Sequence, residues 1–184
     1  MAIILMRHGK PDRQSSSRLT ALAMAEWCEQ YDLSLVCDLP PARSEMIARQ
    51  ADYVIVSSLP RAQSSLEKLQ MQPQEISPLF AEVDLPIIAF PRWRLPPFLW
   101  LSVLRALWFC GVSGSVESYR DASQRAHQAA DRLIERSHSG TVLLVGHGIM
   151  NKMIARELRR RGWQAEKHAS SRHWSTAIYN QPFI

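Results

Sequence analysis

Largely apolar runs recur along the chain, and each gives way to a turn rich in charge or imidazole. Ala2-Ile3-Ile4-Leu5, Tyr53-Val54-Ile55-Val56 and Thr141-Val142-Leu143-Leu144-Val145 are such runs, the pattern of strands buried on both faces of a parallel sheet. Between them the apolar spacing lengthens to that of helices. Thr20 to Tyr31 carries Leu22, Ala23, Trp27 and Cys28 among Ala and Glu. Ser44 is placed to cap a short helix through Gln50, with Met46 and Ile47 facing inward. Pro60 suits the first position of a helix that continues over Gln63 to Met71, with Ser57 or Ser58 as cap and Gln72-Pro73 as stop. Gly114 to Ser118 opens a long helix reaching about Ser137, whose packed face is Ala122, Ala126, Ala129, Ala130 and Leu133. A last helix runs to Arg161 and ends at Gly162. Trp174 to Tyr179 alternates as a final strand.

Strands alternating with helices predict an α/β chain, and in open α/β sheets ligands sit at the carboxyl ends of the strands. The three buried runs end in Arg7-His8-Gly9, Ser57-Ser58-Leu59-Pro60-Arg61 and Gly146-His147-Gly148. Arg7, His8, Arg61 and His147 thus arrive at one sheet edge. Arg61 stands in the first turn of its helix, where the helix dipole disfavours a cation. A bound anion removes that conflict, since free N–H groups at a helix start and an arginine fork both suit phosphate oxygens. Asn151 and Lys152 pose the same question at the third strand. Glu82 and Asp84, on alternate residues of an extended segment, point to one side as candidate proton donors.

Composition narrows the partners. With 184 residues and 46% apolar content, residues 1–184 are enough for one core, and a single domain is expected. The formal charge of +5 and a pI near 9.4 suit an anionic ligand. Arg156, Arg159 and Arg160 read as a solvated face, so nucleic acid is not expected as a partner. Cys28, Cys37 and Cys110 lack metal-ligand spacing and fit a reducing cytoplasm. A segment at about 90–112 gains Trp93, Trp100, Trp108 and prolines. Its apolar run Phe98 to Val112 contains Arg105 and falls short of the ~20 residues a membrane span needs, so no membrane role is expected. It reads as a lid or insert beside the site, with Arg92 and Arg94 ahead of it.

The ordered set Leu5-Met6-Arg7-His8-Gly9, Ser57 to Ser65, Phe80-Ala81-Glu82, Glu117-Ser118 and Val145-Gly146-His147-Gly148 resembles the histidine phosphatase superfamily, the phosphoglycerate-mutase-like group. The resemblance spans nearly the whole chain. It implies a three-layer α/β/α sandwich with a mostly parallel central sheet, no metal and no cofactor. It implies His8 as a nucleophile that becomes phosphorylated, Arg7, Arg61 and His147 as the phosphate pocket, and Glu82 as proton donor, with Asp84 as the alternative. Lys10, Gln14, Ser57 and Gly148 are the residues it places around the substrate. The chain departs from the family where Lys10-Pro11-Asp12 and Gln14 follow the first motif and where Ser65 replaces a threonine.

Those roles agree with the chemistry of the side chains. Arg7 and Arg61 disfavour an imidazolium, leaving a neutral, nucleophilic His8, and they hold the phosphoryl oxygens in the transition state. The same cations repel a divalent metal from a His8, His147 and Glu82 set. The chain is short and lacks the insertions that grip phosphoglycerate in mutases, so hydrolysis of a small phosphorylated metabolite is expected. Two other readings stay open: a protein phosphohistidine phosphatase, and a module that binds a phosphate ligand without turnover. The oligomeric state is open as well.

Overall fold

The computed structural model describes residues 1–12, 17–88, 90, 93–167, 170 and 172–181. Six strands form one sheet: β1 Ala2–Arg7, β2 Tyr53–Ser57, β3 Glu75–Ser77, β4 Val142–Gly146, β5 Gln164–Lys167 and β6 Thr176–Asn180, in the order β3-β2-β4-β1-β6-β5. β1, β2, β3 and β4 are mutually parallel, whereas β6 pairs antiparallel with β1 and β5 antiparallel with β6. Six helices accompany them: α1 Ala23–Leu33, α2 Ala42–Ala48, α3 Pro60–Lys68, α4 Pro97–Phe109, α5 Tyr119–Ser137 and α6 Gly148–Arg160.

The two-residue period of the strands sorts the core into two layers. Ile3 and Leu5 of β1, Val142 and Leu144 of β4 and Ile55 of β2 pack with Ala122, Ala126, Ala129, Ala130 and Leu133 of α5 and with Met150, Ile154 and Leu158 of α6. The alternate residues Ile4, Met6, Leu143, Val145, Val54 and Val56 pack on the other face against Ile47 of α2 and Ala62 and Leu66 of α3. The α/β/α sandwich with a mostly parallel sheet is therefore the observed architecture. The alanines let α5 lie close to the sheet, and Ser118 caps it by accepting from the Asp121 N–H.

A third cluster, Met24 and Trp27 of α1 with Trp100 and Leu104 of α4, joins those two helices. The Trp100 indole N–H donates to the Leu19 carbonyl at 2.8 Å, which satisfies its one donor inside the cluster.

Local expectations differ in three places. Ser44 lies inside α2, after the cap residue Pro41, and its buried hydroxyl donates to the Trp174 carbonyl at 2.8 Å. Met46 is 62% exposed, and the inward residues of α2 are Ser44, Ile47 and Ala48. α3 starts from Leu59 with no side-chain cap, because Ser57 and Ser58 lie ahead of the cap position, where the Ser57 hydroxyl accepts the Leu59 N–H at 3.3 Å. The two outer strands β3 and β5 leave no mark in the apolar pattern, being short, polar edge segments.

Candidate active site

The three parallel strands that carry the motifs are neighbours, with β4 between β2 and β1, so their carboxyl ends lie side by side. Arg7 is in register with Gly146, and the His8 N–H donates to the Gly146 carbonyl at 2.9 Å. Gly9 donates its N–H to Ser65 Oγ at 2.9 Å, and that hydroxyl donates to the Arg61 carbonyl at 2.6 Å. This pair of bonds ties the β1 motif to the first turns of α3. A Cβ at Gly9 would fall 2.4 Å from the Trp174 ring, so the glycine is required by close packing.

His8 is 2% exposed and its Nδ1 lies 2.7 Å from the Gly9 carbonyl. A carbonyl only accepts, so Nδ1 carries the proton and Nε2 of the neutral ring keeps its lone pair. Burial pushes the His8 pKa well below its ordinary 6.5, with the Arg61 charge next and Arg7 and His173 adding to it, while the Gly9 bond acts in the opposite sense. The sequence pointed to the arginines as the cause; the structure puts desolvation first.

The His147 ring centroid is 5.1 Å from that of His8. Its Nε2 lies 2.8 Å from Ser57 Oγ, and the same oxygen accepts the Leu59 N–H at 3.3 Å. The hydroxyl keeps its own proton and a second lone pair, so it pairs with Nε2 in either ring tautomer. Nδ1 is buried without a hydrogen-bond partner among the described residues. Burial, then Arg61, His8 and Arg7, hold the His147 pKa well below 6.5. Both imidazoles are thus neutral near pH 7.

Arg61 is also 2% exposed, with its guanidinium 5.1 Å from the Tyr31 ring centroid. Its Nη1 donates to Asp32 Oδ1 of α1, while its buried Nε has no partner among the described residues. Asp32 answers part of the dipole conflict seen in the sequence, and it was not foreseen. Gly148 opens the space between Arg7 and Glu82, since a Cβ there would lie 3.5 Å from Arg7 Cζ and 3.8 Å from Glu82 Oε2. Glu82 accepts the N–H of Ile149 at 3.1 Å and of Met150 at 3.0 Å, capping the start of α6. Asp84 stands at the exposed rim, where partial burial and the Asp32 and Glu117 carboxylates raise its pKa, against Arg125 and Arg105.

Two arginines hold this acid-bearing segment by its backbone. Arg105 of α4 donates to the Val83 carbonyl at 2.7 Å, and Arg125 of α5 donates to Leu79 at 3.0 Å and Ala81 at 2.8 Å. Glu117 in turn pairs with Arg125 at 2.7 Å. Irregular backbone buried here needs such donors.

A cavity of about 550 Å³ opens over Arg7, His8, Arg61 and Glu82, walled by Ala25, Cys28, Glu29, Tyr31 and Asp32 of α1, Leu101, Ser102 and Arg105 of α4, and Val83 to Leu85, Ile87 and Val116. The exposed Lys10 is not in its wall, and its backbone N–H donates to Asp38 at 2.7 Å. Gln14 and Arg92 lie outside the described residues. Asn151 is buried and donates to the Met6 carbonyl at 3.0 Å, which makes it a brace of β1. His173, missed in the sequence, has its ring 5.4 Å from that of His8 and its Nδ1 3.3 Å from the His8 carbonyl. It arrives because β6 runs antiparallel, so the residues before β6 lie at the carboxyl edge of the parallel strands. No group of His, Cys, Asp and Glu among the described residues is arranged to hold a metal ion.

Arg7, His8 and Arg61 share the cavity wall, while the fully buried His147 lies against His8 and outside that wall; two guanidinium groups beside a neutral imidazole suit a tetrahedral anion. Solved structures share the fold. A Mycobacterium tuberculosis open-reading-frame product is 18% identical over 96% of this chain and 89% of its own, with a TM-score of 0.62. Phosphoserine phosphatase of Entamoeba histolytica, solved with 3-phosphoglyceric acid, is 16% identical over 96% and 89%, with a TM-score of 0.57. The mycobacterial glucosyl-3-phosphoglycerate phosphatase is 17% identical over 86% and 79%, with a TM-score of 0.55. No curated protein matches the chain by sequence. The model of the histidine phosphatase superfamily (branch 1) matches residues 42–180. The chain belongs to that superfamily, and it is a phosphatase of the histidine phosphatase type.

Proposed function

We propose that the protein hydrolyses a small phosphomonoester through a phosphohistidine formed on His8, without a metal. The observation that carries this is the fixed tautomer of His8: its Nδ1 is held by the Gly9 carbonyl at 2.7 Å, so Nε2 keeps its lone pair in a residue that shares the cavity wall with Arg7 and Arg61. In the first displacement Nε2 attacks phosphorus and the P–O ester bond breaks. Glu82, protonated, gives its proton to the departing oxygen and the alcohol leaves. In the second, water attacks phosphorus while the Glu82 carboxylate takes its proton. The N–P bond breaks, its electron pair returns to Nε2, and inorganic phosphate is released. Arg7, Arg61 and His147 hold the phosphoryl oxygens throughout.

Glu82 is favoured over Asp84 as the acid because it stands beside Arg7 at Gly148, whereas Asp84 is at the exposed rim. The two guanidinium groups stand in for the charge a metal would supply, and they repel one. A cavity walled by α1 and α4 favours a small substrate over a protein-borne phosphohistidine, and α4 acts as its lid. Small phosphorylated metabolites are also named for the glucosyl-3-phosphoglycerate and phosphoserine phosphatases of this fold. Cys28, Cys37 and Cys110 form no disulfide among the described residues, which fits a cytoplasmic protein. No helix among the described residues is long and apolar enough to cross a membrane.

Turnover of an aryl phosphate by the purified protein, measured with and without a chelator, tests this reading. Chelation is expected to leave the rate unchanged, and His8→Ala to remove it with binding of inorganic phosphate retained. A binding module would show phosphate affinity and no turnover in the parent protein.

A further inference from the structure

The cavity has one place for negative charge and much apolar space beyond it. A water molecule occupies about 30 Å³ and a phosphoryl group only a few times that, so most of the roughly 550 Å³ is left for the alcohol part of the ester. Tyr31, Leu85, Ile87 and Leu101 are among the side chains that wall this outer space. The charged groups there are mainly acids. Glu29 and Asp32 come from α1 and Asp84 from the segment after Glu82.

Beyond Arg7 and Arg61, the wall contains one further cation among the described residues, Arg105. Its guanidinium is committed to the Val83 and Asp84 carbonyls and lies 5.1 Å from the Trp108 ring centroid. Only part of its donor set is left there for a second carboxylate or phosphate. Specificity of this kind combines attraction with a repulsive element, and Glu29 and Asp84 supply the repulsion, Asp32 being paired with Arg61.

We propose that the substrate is a phosphomonoester of an apolar alcohol bearing no second anionic group. Phosphoglycerates and bisphosphates are selected against by the acids at the mouth. The inference rests on the phosphatase reading only for the word substrate; the selectivity belongs to the cavity.

Three primary alkyl phosphates of similar intrinsic reactivity test it: 2-phenylethyl phosphate, glycerol 3-phosphate and 3-phosphoglycerate. Both kcat/KM and calorimetric affinity are measured on the full chain. The expected order is phenylethyl over glycerol over phosphoglycerate, with the first favoured over the last by at least about tenfold in both readouts. Glu29→Lys reverses the charge at the mouth without touching the phosphoryl pocket, and it narrows that ratio several-fold. Equal or better use of 3-phosphoglycerate overturns the inference and leaves the phosphatase reading standing. Selective affinity without turnover of any ester strikes the phosphatase reading and leaves the inference standing. An unchanged ratio in Glu29→Lys overturns the role of charge in the selectivity.

Discussion

At the scale of single residues, the site is set by which proton sits on which nitrogen. The Gly9 carbonyl and the Ser57 hydroxyl each lie within hydrogen-bond distance of one imidazole nitrogen, of His8 and of His147. Burial keeps both rings neutral. This has a cost in acid. Both pKa values are lower folded than unfolded, so below the unfolded value of 6.5 the unfolded chain binds more protons than the native one. Their contribution is therefore fully present above that pH and falls as the pH drops below it. Thermal unfolding between pH 7.5 and 5 is expected to show a falling Tm, and His147→Gln to flatten the fall. A Tm independent of pH across that window in the parent protein would contradict the assignment of neutral buried rings.

Residue types alone disclosed Arg7, His8, Arg61 and His147, because each follows an apolar run at a strand end. They did not disclose Asp32 or His173. Asp32 sits on a helix packed over α3, and His173 precedes an antiparallel strand, so only the tertiary path brings either to the site. The leading cause of the His8 shift was hidden for the same reason, since burial is a property of the packed molecule.

At the scale of elements, the long apolar and alanine-rich stretches were legible, and the polar edges were not. β1, β2, β4 and α5 follow their periodicity closely, whereas β3 and β5 are edge strands that lack one. The Trp-rich stretch is a helix, α4, that lines the cavity with Leu101, Ser102 and Arg105. Arg105 joins that helix to the backbone beside Glu82 and Asp84, and Arg125 holds the same segment from α5. Arg105→Met frees one end of the clamp. A loss of about tenfold or more in kcat is expected, with a smaller change in KM, since small displacements of a catalytic group are costly. Arg105→Lys keeps the charge and one donor and is expected to recover part of the rate. Equal kcat in Arg105→Met would remove this residue from the positioning of the acid.

At the scale of the whole molecule, the site is a junction among the sheet edge, α1, α3, α4, α5 and α6. Buried Arg61 and both imidazoles carry a desolvation cost that an anion in the pocket offsets. Saturating ligand should therefore stabilise the entire fold. At a hundred times its Kd a ligand bound only by the native state adds about 2.7 kcal/mol, which for a chain of this size raises Tm by roughly 5–10 °C. Vanadate or phosphate is expected to produce that shift in the parent protein and a much smaller one in Arg61→Ala. A Tm indifferent to either oxyanion at millimolar concentration would contradict an anion pocket at this junction.

The central claim is that His8 Nε2 becomes bonded to phosphorus during turnover, and rapid quench with a phosphorus-labelled ester tests it most directly. The account predicts a label that is lost in acid, withstands alkali, maps to His8 and disappears in His8→Ala. Turnover with no trapped label, or a label on a serine or a carboxylate, would contradict it.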